Sequence, residues 1–235
     1  MFDFNAHILT GFGDGPESLE ESCALLKELI GLGFTKIVCS PRYLPQKDTY
    51  VPKSEKRQKI RELEVVAKYN GTPVKLFLAN EVFLMKNIDE LVQKGEISLI
   101  GRNYLLIKLP ERGNISLKKV EEELILLREK GYVPILANPE KSAFLQDDEK
   151  KIDKLSGTGA MFQCGFGSII GLNGRAAENL MKYMLERGFV DFLGTNVRKP
   201  HDEVIVKFER ATKKIKKIVG EKGFEKIMRN ADGVV

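Results

Sequence analysis

The chain has only 2 histidines and 3 cysteines in 235 residues. No apolar run approaches the ~18 residues of a membrane span, and no Pro/Ser-rich stretch marks a linker. Two histidines leave no evident Ser-His-acid triad. Cys23, Cys39 and Cys164 are widely spaced and odd in number, which fits neither a disulfide framework nor a zinc-ligand spacing and leaves them reduced and packed. A cysteine-dependent phosphatase needs an arginine six places after its nucleophile, and those places hold Leu29, Pro45 and Ile170. Gly165, Gly167 and Gly171 match neither the dinucleotide fingerprint nor the Walker pattern and read as a turn at a strand tip. The N-terminus lacks a basic-then-apolar signal, so a cytoplasmic setting is expected. Without a compositional break, one domain over residues 1–235 is expected.

What is present is ordinary for a globular protein: 43% hydrophobic and 30% charged residues, with a mild net charge of +5. Lys213, Lys214, Lys216 and Lys217 make the last large helix basic, as an acidic partner or nucleic acid would require. A solvated face with acids nearby accounts for it more simply, and no nucleic-acid partner is expected.

The opening sixteen residues, M-F-D-F-N-A-H-I-L-T-G-F-G-D-G-P, hold the first chemical pattern. Phe2 and Phe4 alternate with Asp3 and Asn5, the period of a strand, and Asn5 and His7 share a face. Gly11, Gly13, Gly15 and Pro16 then form a tight turn that returns Asp14 to the strand tip. Further along, helical periodicity ends three times in a glycine, an aromatic follows, and a short apolar strand ends in polar residues. Gly33, Gly131 and Gly188 fit the left-handed position after a helix. Ser18 and Glu21 form a capping box. Strands are also expected over Val74–Ala79, Tyr104–Ile107 and Ala160–Phe162, with helices near residues 53–68, 116–130, 174–187 and 202–219. Seven apolar strands alternating with helices imply a parallel α/β sheet closed, or nearly closed, into a (β/α) barrel. Such barrels mount their chemistry at the C-terminal strand ends. Those ends are Asn5 and His7, Ser40 and Arg42, Glu81, Lys108, Asn138, Gln163, then Asn196 and Arg198: a polar mouth of mixed charge, short of metal ligands.

The segments H-I-L-T-G-F-G-D-G-P at His7, E-E-S at Glu20, S-P-R-Y at Ser40, N-E-V at Asn80, N-P-E-K at Asn138 and G-S-I-I-G at Gly167 resemble the polymerase-and-histidinol-phosphatase (PHP) superfamily. Within it, the similarity is to the bacterial protein-tyrosine phosphatases of capsular and exopolysaccharide clusters, over nearly the whole chain. The resemblance implies a distorted seven-stranded (β/α)7 TIM-like barrel. It also implies a cluster of divalent ions, usually manganese, whose bridging water attacks phosphotyrosine. The partner it implies is a tyrosine autokinase or another polysaccharide-assembly protein. The ligand positions depart from that pattern. The opening His-x-His is Asn5-x-His7, and the Asp-Asp-Gly acid survives as Asp14. Arg42 replaces a histidine, and Glu81 remains a glutamate. Lys108 replaces a glutamate, Asn138 replaces a histidine, and the closing Asp-x-His is Asn196-x-Arg198. The phosphate-contacting arginine is Lys141, and a second arginine aligns loosely with Glu203.

Of those nine ligand positions only His7, Asp14 and Glu81 can hold a divalent ion well. Lysine and arginine have no acceptor, so Arg42, Lys108 and Arg198 put fixed positive charge where ion charge would sit. A unit like-charge pair at ~4 Å and an effective dielectric near 20 repels by on the order of 4 kcal/mol. The expectation is a barrel mouth without metal, in which these cations pair with Asp14 and Glu81. Two functions follow. The preferred one is a catalytically inactive pseudophosphatase that binds a partner, or a phosphate or other anion, at a mouth lined by Asn5, Arg42, Lys108, Asn138, Lys141, Asn196 and Arg198. The alternative is a manganese-dependent phosphotyrosine phosphatase with one ion on His7, Asp14 and Glu81, assisted by Asn5. Simpler roles are open to the retained residues: a hydrogen-bonded strand-end His7, an Asp14 that orders its own turn, and a Glu81 paired with Arg42 or Lys108. His201 is expected to be solvated, ahead of the last large helix, with no role.

Overall fold

A computed structural model describes residues 1–43, 53–69, 71, 73–113 and 115–235; Pro45 lies outside them. The order is β1 (Phe2–Ala6), α1 (Leu19–Gly31), β2 (Lys36–Cys39), β3 (Arg42–Tyr43), α2 (Lys53–Tyr69), β4 (Lys75–Leu78), β5 (Glu81–Phe83) and α3 (Ile88–Gln93). It continues with β6 (Tyr104–Lys108), α4 (Leu117–Glu129), β7 (Val133–Ala137), α5 (Ala143–Gln146), α6 (Lys150–Gly157), β8 (Met161–Gly165), α7 (Arg175–Glu186), β9 (Phe192–Gly194), α8 (Glu203–Val206) and α9 (Phe208–Asn230).

Every pairing between these strands is parallel, in two ladders ordered β1-β2-β4 and β3-β5-β6-β7-β8-β9. The ladders are one curled sheet, because β2 runs on into β3 and β4 into β5. The Ala79 amide donates to the Cys39 carbonyl at 3.0 Å and the Glu81 amide to the Pro41 carbonyl at 3.3 Å, carrying the pairing across both breaks. The short strands therefore make the seven passes that the sequence predicts. The first and last passes meet through Asn196 N–H to Asn5 O at 2.8 Å and His7 N–H to Val197 O at 3.0 Å. This is the distorted (β/α) barrel.

Alternation along the strands sorts two cores. Phe2, Phe4, Val38, Leu106, Ile135 and Phe192 pack together inside the barrel, with Phe4 and Phe192 stacked at 3.9 Å between centroids, and Ile100, Ala231 and Val234 close its base. Their strand neighbours Ile37, Leu105, Leu136, Phe162 and Leu193 face outward onto the helices. Burying such side chains contributes roughly 1.5–3 kcal/mol each. Helix ends follow local chemistry: Ser18 Oγ accepts from Glu21 N at 3.1 Å, while Glu21 Oε2 reaches back to Glu17 N at 2.9 Å. Gly33, Gly131 and Gly188 adopt φ of 91°, 88° and 72°, as the three helix stops require.

Two details differ from the periodicity. The last predicted helix is two: α8 is short, and α9 runs to Asn230 through a kink at Gly220 (φ 75°, ψ 168°). That glycine redirects the chain rather than ending it, because Phe224, Ile227 and Met228 beyond it are buried. In β1, strict alternation would send Asn5 away from Phe4. The register against β2 instead slips between Asp3 and Ala6, a β-bulge that re-aims Asn5 into the mouth.

Candidate functional site

The strand tips converge on one guanidinium. Arg42, the first residue of β3, donates from Nε to Glu81 Oε2 at 2.9 Å and holds Nη1 3.1 Å from Asp14 Oδ2. Glu81 opens β5 directly opposite Arg42 in the register. Asp14 arrives from the loop after β1, where Gly11 and Gly13 have φ of 79° and 60° and Gly11 N–H donates to Pro16 O at 3.1 Å. Arg198, beyond β9, places Nε 2.7 Å from the same Asp14 oxygen, and His7 Nδ1 lies 3.5 Å from the other. Two guanidiniums thus face two carboxylates.

Burial opposes ionisation of Glu81, yet the neighbouring charges of His7, Lys108 and Arg42 bring its pKa down to about 2. Burial also lowers His7, to about 4, against the attraction of Glu81. The imidazole is therefore neutral at pH 7. Asp14 is held below the ordinary carboxylate range: burial pushes upward, and the charges of His7, Arg198 and Arg42 outweigh it.

An amide belt surrounds the ion network. Asn5 Nδ2 donates to Gln163 Oε1 at 2.9 Å and to Glu81 Oε1 at 3.4 Å, while Ser40 Oγ donates to Asn5 Oδ1. Asn138 and Asn196 both sit in the left-handed region (φ 50° and 57°), which asparagine tolerates, and Asn138 Nδ2 donates to Asn196 Oδ1 at 2.7 Å. Glu140 is fully buried, and its Oε1 accepts from Gly165 N and Ser168 Oγ.

Several sequence expectations are corrected or sharpened. Glu81 takes Arg42 as its ion-pair partner; Lys108 Nζ turns instead to Glu111 Oε1 at 2.8 Å. His7 is not hydrogen-bonded, since neither ring nitrogen has a partner. Asp14 reaches out to guanidiniums rather than merely ordering its turn. Among the described residues the Lys141 ammonium has no hydrogen bond or ion pair but feels the Glu140 and Glu111 charges, and Glu203 turns to Lys207 at 2.7 Å. His201 is solvent-exposed but precedes α8, and it pairs with Glu28 at 2.7 Å. In the basic helix, Lys213, Lys214 and Lys216 pair with Glu209, Glu178 and Glu221, a solvated ion-paired face. Sequence reasoning missed Glu111, Glu140 and Asp3. Asp3 binds Thr195 N at 2.9 Å and Thr195 Oγ1 at 2.5 Å across the seam. Only the spacing of Glu111 three places after Lys108 was a visible signal.

These residues do not fit the divalent ions that the resemblance implies. The carboxylates that would bridge an ion are bridged by Arg42, and Lys108 and Arg198 add cations around them. Among the described residues no group of three or more His, Cys, Asp or Glu side chains converges as a metal site. The unpartnered nitrogens of His7 leave one free ligand, which is too few.

The chain is similar to a putative tyrosine-protein phosphatase CapC of Staphylococcus aureus, 28% identical over 199 residues, covering 83% of this chain and 76% of that protein. It is also similar to the tyrosine-protein phosphatase YwqE of Bacillus subtilis, 22% identical over 201 residues, with the same coverage. In structure it matches a crystal structure reported for YwqE of B. subtilis and CpsB of Streptococcus pneumoniae, described as metal-dependent tyrosine phosphatases. The TM-score is 0.89 at 19% identity, over 100% of this chain and 94% of that one. A histidinol phosphate phosphatase from Lactococcus lactis shares the fold at a TM-score of 0.60 and 15% identity, covering 91% and 93% of the two chains. The family model described as capsular polysaccharide synthesis, CpsB/CapC, matches residues 1–235. This protein, with its barrel and its strand-tip mouth, belongs to the CpsB/CapC family of capsular polysaccharide synthesis.

Proposed function

We propose that this chain is a phosphatase-like barrel of capsular or exopolysaccharide regulation that has exchanged its metal cluster for side-chain cations and acts by binding rather than hydrolysis. One observation carries this reading: the Arg42 guanidinium lies between Asp14 and Glu81, at 3.1 and 2.9 Å. A divalent ion entering there would displace Arg42 and then face it, with like-charge repulsion of ~4 kcal/mol or more for each close cation. Asn5, Arg42, Lys108, Asn138, Lys141, Asn196 and Arg198 form the mouth that would receive a partner segment, or a phosphate or other anion. The names of the relatives support a partner in capsule assembly such as a tyrosine autokinase. The free cysteines suit a reducing, cytoplasmic setting. Among the described residues no helix is long and apolar enough to cross a membrane.

The rival reading, a manganese-dependent phosphotyrosine phosphatase using one ion on His7, Asp14 and Glu81, draws on the two unpartnered nitrogens of His7. Metal analysis after purification in manganese, together with hydrolysis of a phosphotyrosine peptide, separates the two. We expect no stoichiometric metal and no manganese-dependent turnover. Turnover that His7→Ala abolishes would overturn the proposal.

A further inference from the structure

The two carboxylates that face the arginines are held in different ways. Glu81 is 0% exposed and accepts hydrogen bonds from Arg42 Nε at 2.9 Å and Asn5 Nδ2 at 3.4 Å. Asp14 is 37% exposed, and its carboxylate leaves two buried nitrogens beside it without a hydrogen-bond partner, Arg198 Nε at 2.7 Å and His7 Nδ1 at 3.5 Å. We propose that Asp14 is an internal plug: its carboxylate occupies an oxyanion seat formed by Arg42 and Arg198, and an anion from solution binds by displacing it. This rests on the metal-free binding role proposed above and adds how that binding is regulated.

The charges around the seat fit such an exchange. Arg42, Lys108, Lys141 and Arg198 face Asp14, Glu81, Glu111 and Glu140, so the mouth is balanced while Asp14 is in place. On the neighbouring cleft wall Lys199 stands with Asp202, and Glu203 is taken by Lys207. Swinging Asp14 out leaves one positive charge in excess, and an incoming anion restores the balance. Glu81 cannot make the same move, because it is buried and fixed by its hydrogen bonds. Arg198 Nε and one nitrogen of the neutral His7 can give the newcomer hydrogen bonds that Asp14 does not take.

Both the route and the motion are short. Arg198 lines a cleft of about 400 Å³, through which an anion reaches its guanidinium. Asp14 sits in a turn closed by Gly11 N–H to Pro16 O and Gly15 N–H to Phe12 O, both at 3.1 Å, and a Cβ on Gly15 would meet the Leu9 carbonyl at 2.8 Å. The backbone of the turn is therefore fixed, and rotation of the part-exposed Asp14 side chain is enough to empty the seat. A tethered carboxylate competes at high effective concentration, so the anion's apparent affinity is reduced by the fraction of time the seat stands open.

The test is a titration of the full chain in EDTA with inorganic phosphate, followed by calorimetry and by NMR amide shifts. Asp14→Asn should bind phosphate roughly tenfold more tightly than the parent, or better, because its seat is open. Glu203→Gln, which removes a carboxylate from the cleft wall but not from the seat, should change the affinity by less than about threefold. Arg198→Gln added to Asp14→Asn should abolish the gain. In the parent, saturating phosphate should shift the amides of residues 13–15, and this measurement carries the test if Asp14→Asn does not fold. Equal affinity of Asp14→Asn and parent, an equal gain in Glu203→Gln, a gain that survives Arg198→Gln, or amides unmoved at saturation would overturn the proposal. Any of these without manganese-dependent hydrolysis removes only the plug, whereas that hydrolysis removes the metal-free reading itself.

Discussion

Replacing Arg42 by glutamine removes the bridge and leaves Glu81, which is 0% exposed, without its ion-pair partner. Breaking one side of a buried pair costs about 3–5 kcal/mol, because the remaining charge stays desolvated. The depression of Glu81 to about 2 has the same direction, with Arg42 acting beside His7 and Lys108 against burial. A carboxylate lowered in the folded state contributes stability that is complete above pH 4.5 and is lost as pH falls toward about 2. The deficit of Arg42→Gln should therefore be full at pH 7 and shrink as pH falls, vanishing only below about pH 2, where Glu81 is protonated in both proteins. Urea unfolding across that range measures it, beside Glu81→Gln and the double variant. The double variant should recover much of the loss, because neither charge is then buried alone. A deficit below ~1 kcal/mol at pH 7, or one that does not change with pH, would refute the claim that Arg42 stands in for bound charge.

Asp3, buried at the β1–β9 seam, is pushed up by burial to about 7 against the donors Thr195 and Asn5. The folded state therefore favours its protonated form, and stability is lost as pH rises from 3.8 through 7. Asp3→Asn, which keeps an acceptor for both amides and offers Thr195 Oγ1 a donor, should gain on the parent by roughly 2–4 kcal/mol between pH 5 and pH 8 in urea midpoints. His7, lowered to about 4, should keep a neutral-imidazole NMR signal down to below pH 5; protonation near 6.5 would contradict its buried, unpartnered placement. Of the cysteines, Cys23 is part-exposed while Cys39 and Cys164 are buried, with burial raising both thiols well above their ordinary range. One thiol should react with a disulfide reagent in the native protein and three after denaturation, and a fast second thiol would mean the barrel opens.

The barrel was legible because its signals are local. Helix-stopping glycines, apolar strands and polar tips each follow from a few adjacent residues, and together they predict seven passes. The choice of partners was not legible. Glu81 pairs with Arg42, not Lys108, because β3 and β5 put Arg42 and Glu81 directly opposite in register, whereas Lys108 can curl back to Glu111 three residues on. The bulge in β1 also had no signature, since Phe2, Asp3, Phe4 and Asn5 alternate cleanly. Around it Asp3 accepts from Thr195 N and Asn5 donates to Gln163.

The arginines answer a problem that the fold itself sets. The seven-pass barrel brings Glu81 into a closed mouth and the glycine loop brings Asp14 beside it, and a pair of nearby carboxylates without countercharge would be costly. Divalent ions provide one solution. A planar guanidinium is another, because its fixed donors can engage two carboxylates at once and it keeps its proton at any physiological pH. Losing metal ligands without gaining such a group would leave Glu81 to take up a proton or the barrel to loosen. Asp14 and Glu81 therefore depend on Arg42 and Arg198 for their countercharge. Placing a histidine at position 42 alone, with Asn5 and Asn138 unchanged, should give a less stable barrel rather than a metal-binding one. Calorimetry with and without manganese checks this, and manganese raising the melting temperature of Arg42→His above the parent would show that charge replacement is not what keeps the mouth intact.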